Sequence, residues 1–280
     1  MRSSPRCLDC GLKQCERIVR LCGGDEQKAQ VLRQRLLHIA EKLSLDEPPS
    51  TYTSKLLVAT MDFCGEGDPF AKVKEEQNQE GQEMLARLEG KIGDGDEGLK
   101  GALKIAAAGN VIDVGPSRSF DIKELLSSLR FAHDDSDLLI ERLKKARRVV
   151  YILDNAGEVI FDKLVLKRLP DSEVTIVARS SPILNDVTVE EAQKLGLDKL
   201  GRIIGTGSRY LGIDFDTVSD EFRKVYQEAD VVIAKGHANF ESLVNAGRDG
   251  FYLLTAKCEL VADFLGVNVG ETVCLYSKGS

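Results

Sequence analysis

The sequence predicts an α/β protein: a three-layer α/β/α doubly wound domain with a mostly parallel sheet and a helical N-terminal region. Two observations predict it. From about residue 7 to residue 110 the apolar positions recur at helical spacing, as in Val31, Leu36, Leu37, Ile39, Ala40 and Leu43. After about residue 146 the pattern changes to short β-branched runs separated by amphipathic stretches of helix length. Such runs suit strands covered on both faces, as in a parallel sheet between helices. The change divides the chain into a mainly helical region over 1–97 and an α/β domain over 98–280.

The helical half is interrupted at 46–50, at GEGDPF (65–70) and at GKIGDGDEG (90–98), where glycine and proline stop helices. GLKGALKIAAAGNVID (98–113) returns to helical spacing. The strand runs follow: VVYIL (149–153), EVTIVA (173–178), RIIG (202–205), DVVIA (230–234), FYLLT (251–255) and TVCLY (272–276).

With 280 residues, 42% apolar and 30% charged, the chain can bury a sizeable core. A formal net charge of −7 leaves no global basic field for nucleic acid or an anionic membrane. Residues 1–20 hold no apolar stretch of signal-peptide length, and no apolar run approaches the ~20 residues that span a bilayer. The expectation is a cytoplasmic protein without membrane or nucleic-acid partners. Seven cysteines in such a chain do not describe a disulfide scaffold. Cys258 and Cys274, in apolar segments, read as buried thiols, whereas Cys7, Cys10 and Cys15 crowd one short stretch.

Ligands of open parallel sheets bind beyond the carboxyl ends of the strands, at a switch point in strand order. Four segments stand there: LDNAGE (153–158), RSSPILNDVT (179–188), KGHANFES (235–242) and AKCE (256–259). Asp154 and Asn155 offer one anionic and one neutral oxygen donor, and Asp186 a second carboxylate. Hard cations prefer such oxygen ligands and leave room for phosphate and water. The plainer reading is that Asp154 caps a helix starting near Ala156, and Asn185 or Asp186 one starting near Val187. The amides of 156–158 could face an anion, although the segment lacks a P-loop signature. Lys235 could donate to a phosphate oxygen, with Asn239 opening the next helix. Lys257 could bind phosphate or balance the site's charge. His237 stands in the same region as one of three histidines. No serine or cysteine has a nucleophile's setting.

LDNAGE, NDVT and KGHANFES, with CLDC (7–10), DPFAKVKEEQN (68–78) and AAAGNVID (106–113), together resemble the metal-dependent damage-control phosphatases, a former domain-of-unknown-function family, in its shorter branch with an N-terminal CxxC. The resemblance implies a cation (Mn2+, Co2+, Ni2+ or Mg2+) held by Asp154, Asn155 and Asp186, and hydrolysis of small phosphorylated metabolites. It places Asn110 and Asp113 in the pocket. His237-Ala238 stands where relatives commonly carry Gln-Gly. A second, sulfur-ligated metal site could form from Cys7 and Cys10 with Cys15 or Cys64.

The mechanism expected is in-line attack by a metal-activated water, with Asp186 or Glu158 assisting proton transfer and Lys235 with helix-start amides binding phosphate. Alternatives are Asp154 as covalent nucleophile, an S-adenosylmethionine-dependent carboxyl methyltransferase, and a non-catalytic metal or metabolite sensor. The missing glycine-rich loop after the first strand argues against the methyltransferase.

Overall fold

The protein is described by a computed structural model over residues 1–65, 67–88, 90–109 and 128–279. Helices Pro5–Leu21, Glu26–Ala40, Pro49–Cys64, Ala71–Leu88 and Gly95–Ala108 occupy the first part. Their ends follow local chemistry. Pro5 and Pro49 stand at first-turn positions, where the missing N–H costs nothing. Asp25 accepts from Lys28 N–H as an N-cap.

The sheet has seven strands: β1 (Phe131–Asp134), β2 (Arg148–Ile152), β3 (Glu173–Ala178), β4 (Arg202–Gly205), β5 (Val231–Lys235), β6 (Gly250–Thr255) and β7 (Thr272–Ser277). Their order is β1-β7-β6-β5-β2-β3-β4. Five neighbours from β6 to β4 are parallel; β7 runs antiparallel to β6, and β1 runs parallel to β7. The six sequence runs are therefore strands, to within a residue at their ends. β1 has no apolar run: FAHD is largely exposed and sits at the edge, where one neighbour's backbone suffices to hold it.

Strand side chains alternate between two cores. Val149, Tyr151, Leu153, Ile176, Ile233 and Leu253 face one cluster with helices Ala71–Leu88, Gly95–Ala108, Ser136–Leu143 and Glu158–Leu166. Val150, Ile152, Val177, Val232, Ala234 and Leu254 face the other, with helices Asp220–Glu228, Gly236–Leu243 and Glu259–Leu265. Three layers result, as expected. The first three helices form a third cluster with Phe70, and reach Ile183 and Leu211 in the loops after β3 and β4. That cluster thus borders the carboxyl end of the sheet. The helix Ala71–Leu88 belongs instead with the sheet, contributing Met84, Leu85 and Leu88 to the first cluster. Among the described residues no helix is long and apolar enough to cross a membrane.

Candidate active site

The strand order reverses at β2, whose neighbours are β5 on one side and β3 on the other. The loops leaving β2, β3 and β5 therefore meet in the crevice that such a reversal opens. Two of them are joined by backbone pairing. Val187 N–H donates to Asp154 O at 2.9 Å, and Ala156 N–H to Asn185 O at 2.8 Å. An isolated antiparallel bridge between Asn155 and Asp186 results, which sets Asp154, Asn155 and Asp186 side by side. Neither aspartate caps a helix. The helix after β2 starts at Glu158 behind Gly157, without a side-chain cap. Thr188 caps the helix Val189–Lys194 in a box with Glu191.

Asp154 is 6% exposed, and Asn155 Nδ2 donates to its Oδ2 at 2.7 Å. Burial, reinforced by the carboxylates of Asp186 and Glu158, holds its pKa well above the usual range, with Lys257 and Arg179 pulling the other way. Asp186 is raised by burial against the pull of Arg179. The carboxylate of Asp154 lies directly over Gly236. That residue has φ +77°, and a Cβ there would stand 1.9 Å from Asp154 Oδ2. Only glycine fits on both counts.

Lys235 does not point toward solvent. It is fully buried, and its ammonium donates to Glu158 Oε1 at 2.5 Å, Asp162 Oδ1 at 2.8 Å and Ala106 O at 2.8 Å. Three donors meet three acceptors, so the expected bond to phosphate is corrected to an internal tie. Burial works against this charge, but Asp162 and Glu158 outweigh it and hold the lysine pKa above its usual value. Tyr151 OH also donates to Asp162 Oδ1, at 2.7 Å, while Asp162 Oδ2 is buried without a partner.

Asn239 is likewise part of the frame. Its amide donates to Leu153 O and Lys235 O and its oxygen accepts from Arg179, which leaves nothing for substrate. The helix-start amides are also engaged: Ala156 N–H bonds Asn185 O, and Gly157 N–H bonds Asn78 Oδ1 at 2.8 Å. The expected anion cradle at 156–157 is therefore absent. Sequence reading did not single out Asn78, Gln77, whose Oε1 accepts from Asn185 Nδ2 at 3.2 Å, or Arg179. Gln77 and Asn78 lay within DPFAKVKEEQN and Arg179 opened RSSPILNDVT, but nothing in spacing announces which surface polar residue reaches another loop.

A narrow cleft opens beside Asp154, lined also by Glu158, Gly236, His237, Thr255 and Lys257. Lys257 is exposed at its mouth. Burial and the neighbouring Lys257 charge lower the His237 pKa to about 4, so the ring is neutral at pH 7. Its Nε2 lies 2.8 Å from Lys257 N–H, a bond that calls for the ring proton on Nδ1, 3.9 Å from Glu241 Oε1. The Thr255 carbonyl, 2.9 Å from the same Nε2, favours the opposite tautomer. Both backbone groups have fixed roles, so each tautomer satisfies one of them.

The cysteine set separates. Cys7 and Cys10, in the first turns of Pro5–Leu21, neighbour Cys258, whereas Cys64 neighbours Cys22 at the far end of that helix. At 1.5 Å per residue the two groups lie roughly 20 Å apart, so Cys64 cannot join Cys7 and Cys10. Burial, with Cys22 next to it, pushes the Cys64 thiol up to about 12. Cys274 is buried as expected, but Cys258 is exposed at the start of Glu259–Leu265. Among the described residues no three His, Cys, Asp or Glu side chains converge as a metal-holding group. Asp154 and Asp186 supply two carboxylates and would need the Asn155 amide as third donor. Asn110 and Asp113 lie outside the described residues.

Residues 3–273 match the model of the damage-control phosphatase ARMT1-like domain. The chain belongs to this family. A damage-control phosphatase of Pyrococcus horikoshii is 35% identical, with 99% of each chain covered, and one of Archaeoglobus fulgidus is 32% identical, with 98% of each covered. The crystal structure of a DUF89 family protein from Pyrococcus horikoshii superposes with a TM-score of 0.87 at 34% identity, covering 99% of this chain and all of that one. ARMT1-like family membership makes the chain a hydrolase of the phosphatase class, the activity its motifs implied.

Proposed function

We propose that the protein hydrolyses small phosphorylated metabolites at the cleft beside Asp154, using a divalent cation held by Asp154, Asn155 and Asp186. The observation that carries this reading is the pairing of two buried carboxylates by the backbone bridge between Asn155 and Asp186. Two repelling carboxylates next to an amide oxygen form a hard donor set that suits Mn2+, Co2+, Ni2+ or Mg2+. A cation offsets the burial and the neighbouring carboxylates that raise the Asp154 pKa.

When bound, such an ion neutralises charge developing on the phosphoryl group and makes water a better nucleophile. The chain's own residues do the rest. Lys257, exposed at the cleft mouth, takes the phosphate oxygens in place of Lys235. Glu158, fixed by Lys235 through Oε1 at 2.5 Å, lines the cleft and accepts the proton from the attacking water. Gly236 leaves Asp154 its position, and the bond from Lys257 N–H to His237 holds the Lys257 backbone at the cleft.

The test is a phosphatase screen of metal-stripped protein with each cation added separately, against an aryl phosphate and a panel of sugar and cofactor phosphates. Turnover is expected only with added cation and is lost in Asp154→Ala. Undiminished turnover in that variant would overturn the assignment. Trapping a phosphoryl group on Asp154 would replace water attack by a covalent route.

A further inference from the structure

Arg179, the first residue after β3, is 2% exposed, and its guanidinium reaches three different strand-end segments. Nε donates to Asp186 Oδ2 at 2.7 Å. One terminal nitrogen donates to the Gly212 carbonyl at 2.6 Å, and the other to Asn239 Oδ1 at 2.9 Å. These segments follow β3, β4 and β5. Through Asn239, whose amide bonds Leu153 O at 3.0 Å and Lys235 O at 2.7 Å, the tie extends to β2. Its backbone also closes the base of the Asp186 loop: Arg179 N–H bonds Val187 O at 2.8 Å, and Val189 N–H bonds Arg179 O at 3.0 Å. That loop carries Leu184 at φ +46°, which among the described residues is the one non-glycine in the left-handed region. Strain of this kind persists only where the surroundings hold it.

We propose that Arg179 is the positioning residue of the site, fixing the Asp186 carboxylate beside Asp154 by tying together the loops that follow β3, β4 and β5. The inference rests on the reading of Asp154, Asn155 and Asp186 as cation ligands. The fork of Arg179 engages Oδ2 of Asp186 and leaves Oδ1 for a ligand. A guanidinium suits this tie because its donors fan out from three nitrogens in a fixed plane, whereas an ammonium gathers its donors at one nitrogen on a flexible stem. Outer partners of a metal ligand set its orientation, and their loss typically costs about 10–100-fold in metal affinity or activity.

Arg179→Lys tests this, with two readouts. The first is amide hydrogen exchange of metal-free protein, which needs no cation and no turnover. Amides of Val187 and Val189 should exchange on the order of tenfold faster than in the parent. The second is Mn2+ binding followed by calorimetry, with the dissociation constant expected to rise about 10–100-fold. KM for an aryl phosphate at saturating Mn2+ should stay within about threefold, since Arg179 lies behind the carboxylate and away from substrate. Unchanged exchange and unchanged Mn2+ affinity would overturn the proposal. So would a KM raised about tenfold at unchanged Mn2+ affinity, because Arg179 would then be a substrate contact. Should Arg179→Lys fail to fold by circular dichroism, Asn239→Ser removes one of the three acceptors while keeping Arg179 and Asp186. It should shift both readouts in the same direction by a smaller factor, and no shift there also counts against the tie. A parent protein that takes up no Mn2+ would sink the metal reading alone, and the exchange comparison would still decide the tie.

Discussion

Asp154 and Asp162 are buried aspartates eight residues apart on one strand-loop-helix unit, and they live in opposite circumstances. Asp162 receives Lys235 Nζ at 2.8 Å and Tyr151 OH at 2.7 Å. Its pKa is raised by burial, with Lys235 pulling it back. Asp154 receives, among the described residues, one amide hydrogen bond from Asn155. Burial raises its pKa well above the usual range, and two neighbouring carboxylates add to the rise. Where the chain supplies its own cation, a buried charge serves the fold. Where it leaves Asp154 without one in contact, while Arg179 holds the neighbouring Asp186, the missing charge is expected from outside, which is the arrangement of a ligand site.

The comparison can be broken at its strongest point by Asp154→Asn. Turnover should fall about 10^3-fold or more, equivalent to about 4 kcal/mol in transition-state stabilisation, while the metal-free protein melts no lower than the parent. A clear loss of stability would place Asp154 with the structural charges.

Lys235→Met should, in contrast, weaken the fold. Removing one partner of a buried ion pair leaves Asp162 and Glu158 uncompensated, at a cost of about 3–5 kcal/mol in denaturant unfolding. An unchanged midpoint would mean that Lys235 can be dispensed with and that its tie is incidental.

Divalent cation should act on one cluster only. Mn2+ at about 100 times its dissociation constant should stabilise the parent by about 2.7 kcal/mol and leave Asp154→Asn unmoved in a thermal melt. Equal stabilisation of both proteins would locate the cation elsewhere.

The smallest effect concerns Glu241, which shares the His237 neighbourhood. Burial raises its pKa to about 8, opposed by the Ser50 N–H and the N-terminal amine. A carboxyl with a raised folded pKa contributes stability that is complete below its unfolded value and is lost as pH rises through about 8. His237 titrates near 4 and contributes in the opposite sense only toward acid pH. Between about pH 6.5 and pH 9 the parent should therefore lose about 2 kcal/mol relative to Glu241→Gln. Parallel pH profiles for the two proteins would show that the Glu241 carboxyl keeps its ordinary pKa.

Much of this was legible in the residues. Runs such as EVTIVA and FYLLT declare buried parallel strands because both faces must be apolar, and the strands match them to within a residue. FAHD declared nothing, since an edge strand needs only one neighbour's backbone. Asp154, Asn155 and Asp186 stood out because strand ends converge at a switch point whatever the side chains are. Lys235 stood out for the same reason and was misread. Position told that it ended a strand, but not that its ammonium turned inward to Glu158 and Asp162.

The sequence by itself determined most of the helices and strands and the residue types offered at the strand ends, because periodicity and strand composition are local properties. Tertiary structure alone decided which polar groups were already satisfied. Lys235, Asn239 and the amides of Ala156 and Gly157 look available in the sequence and are bonded within the fold. Arg179 looks unremarked and joins the strand-end loops. A hydrogen bond between loops depends on direction and on distances of about 3 Å, and residues 60 positions apart acquire those only when the chain has folded.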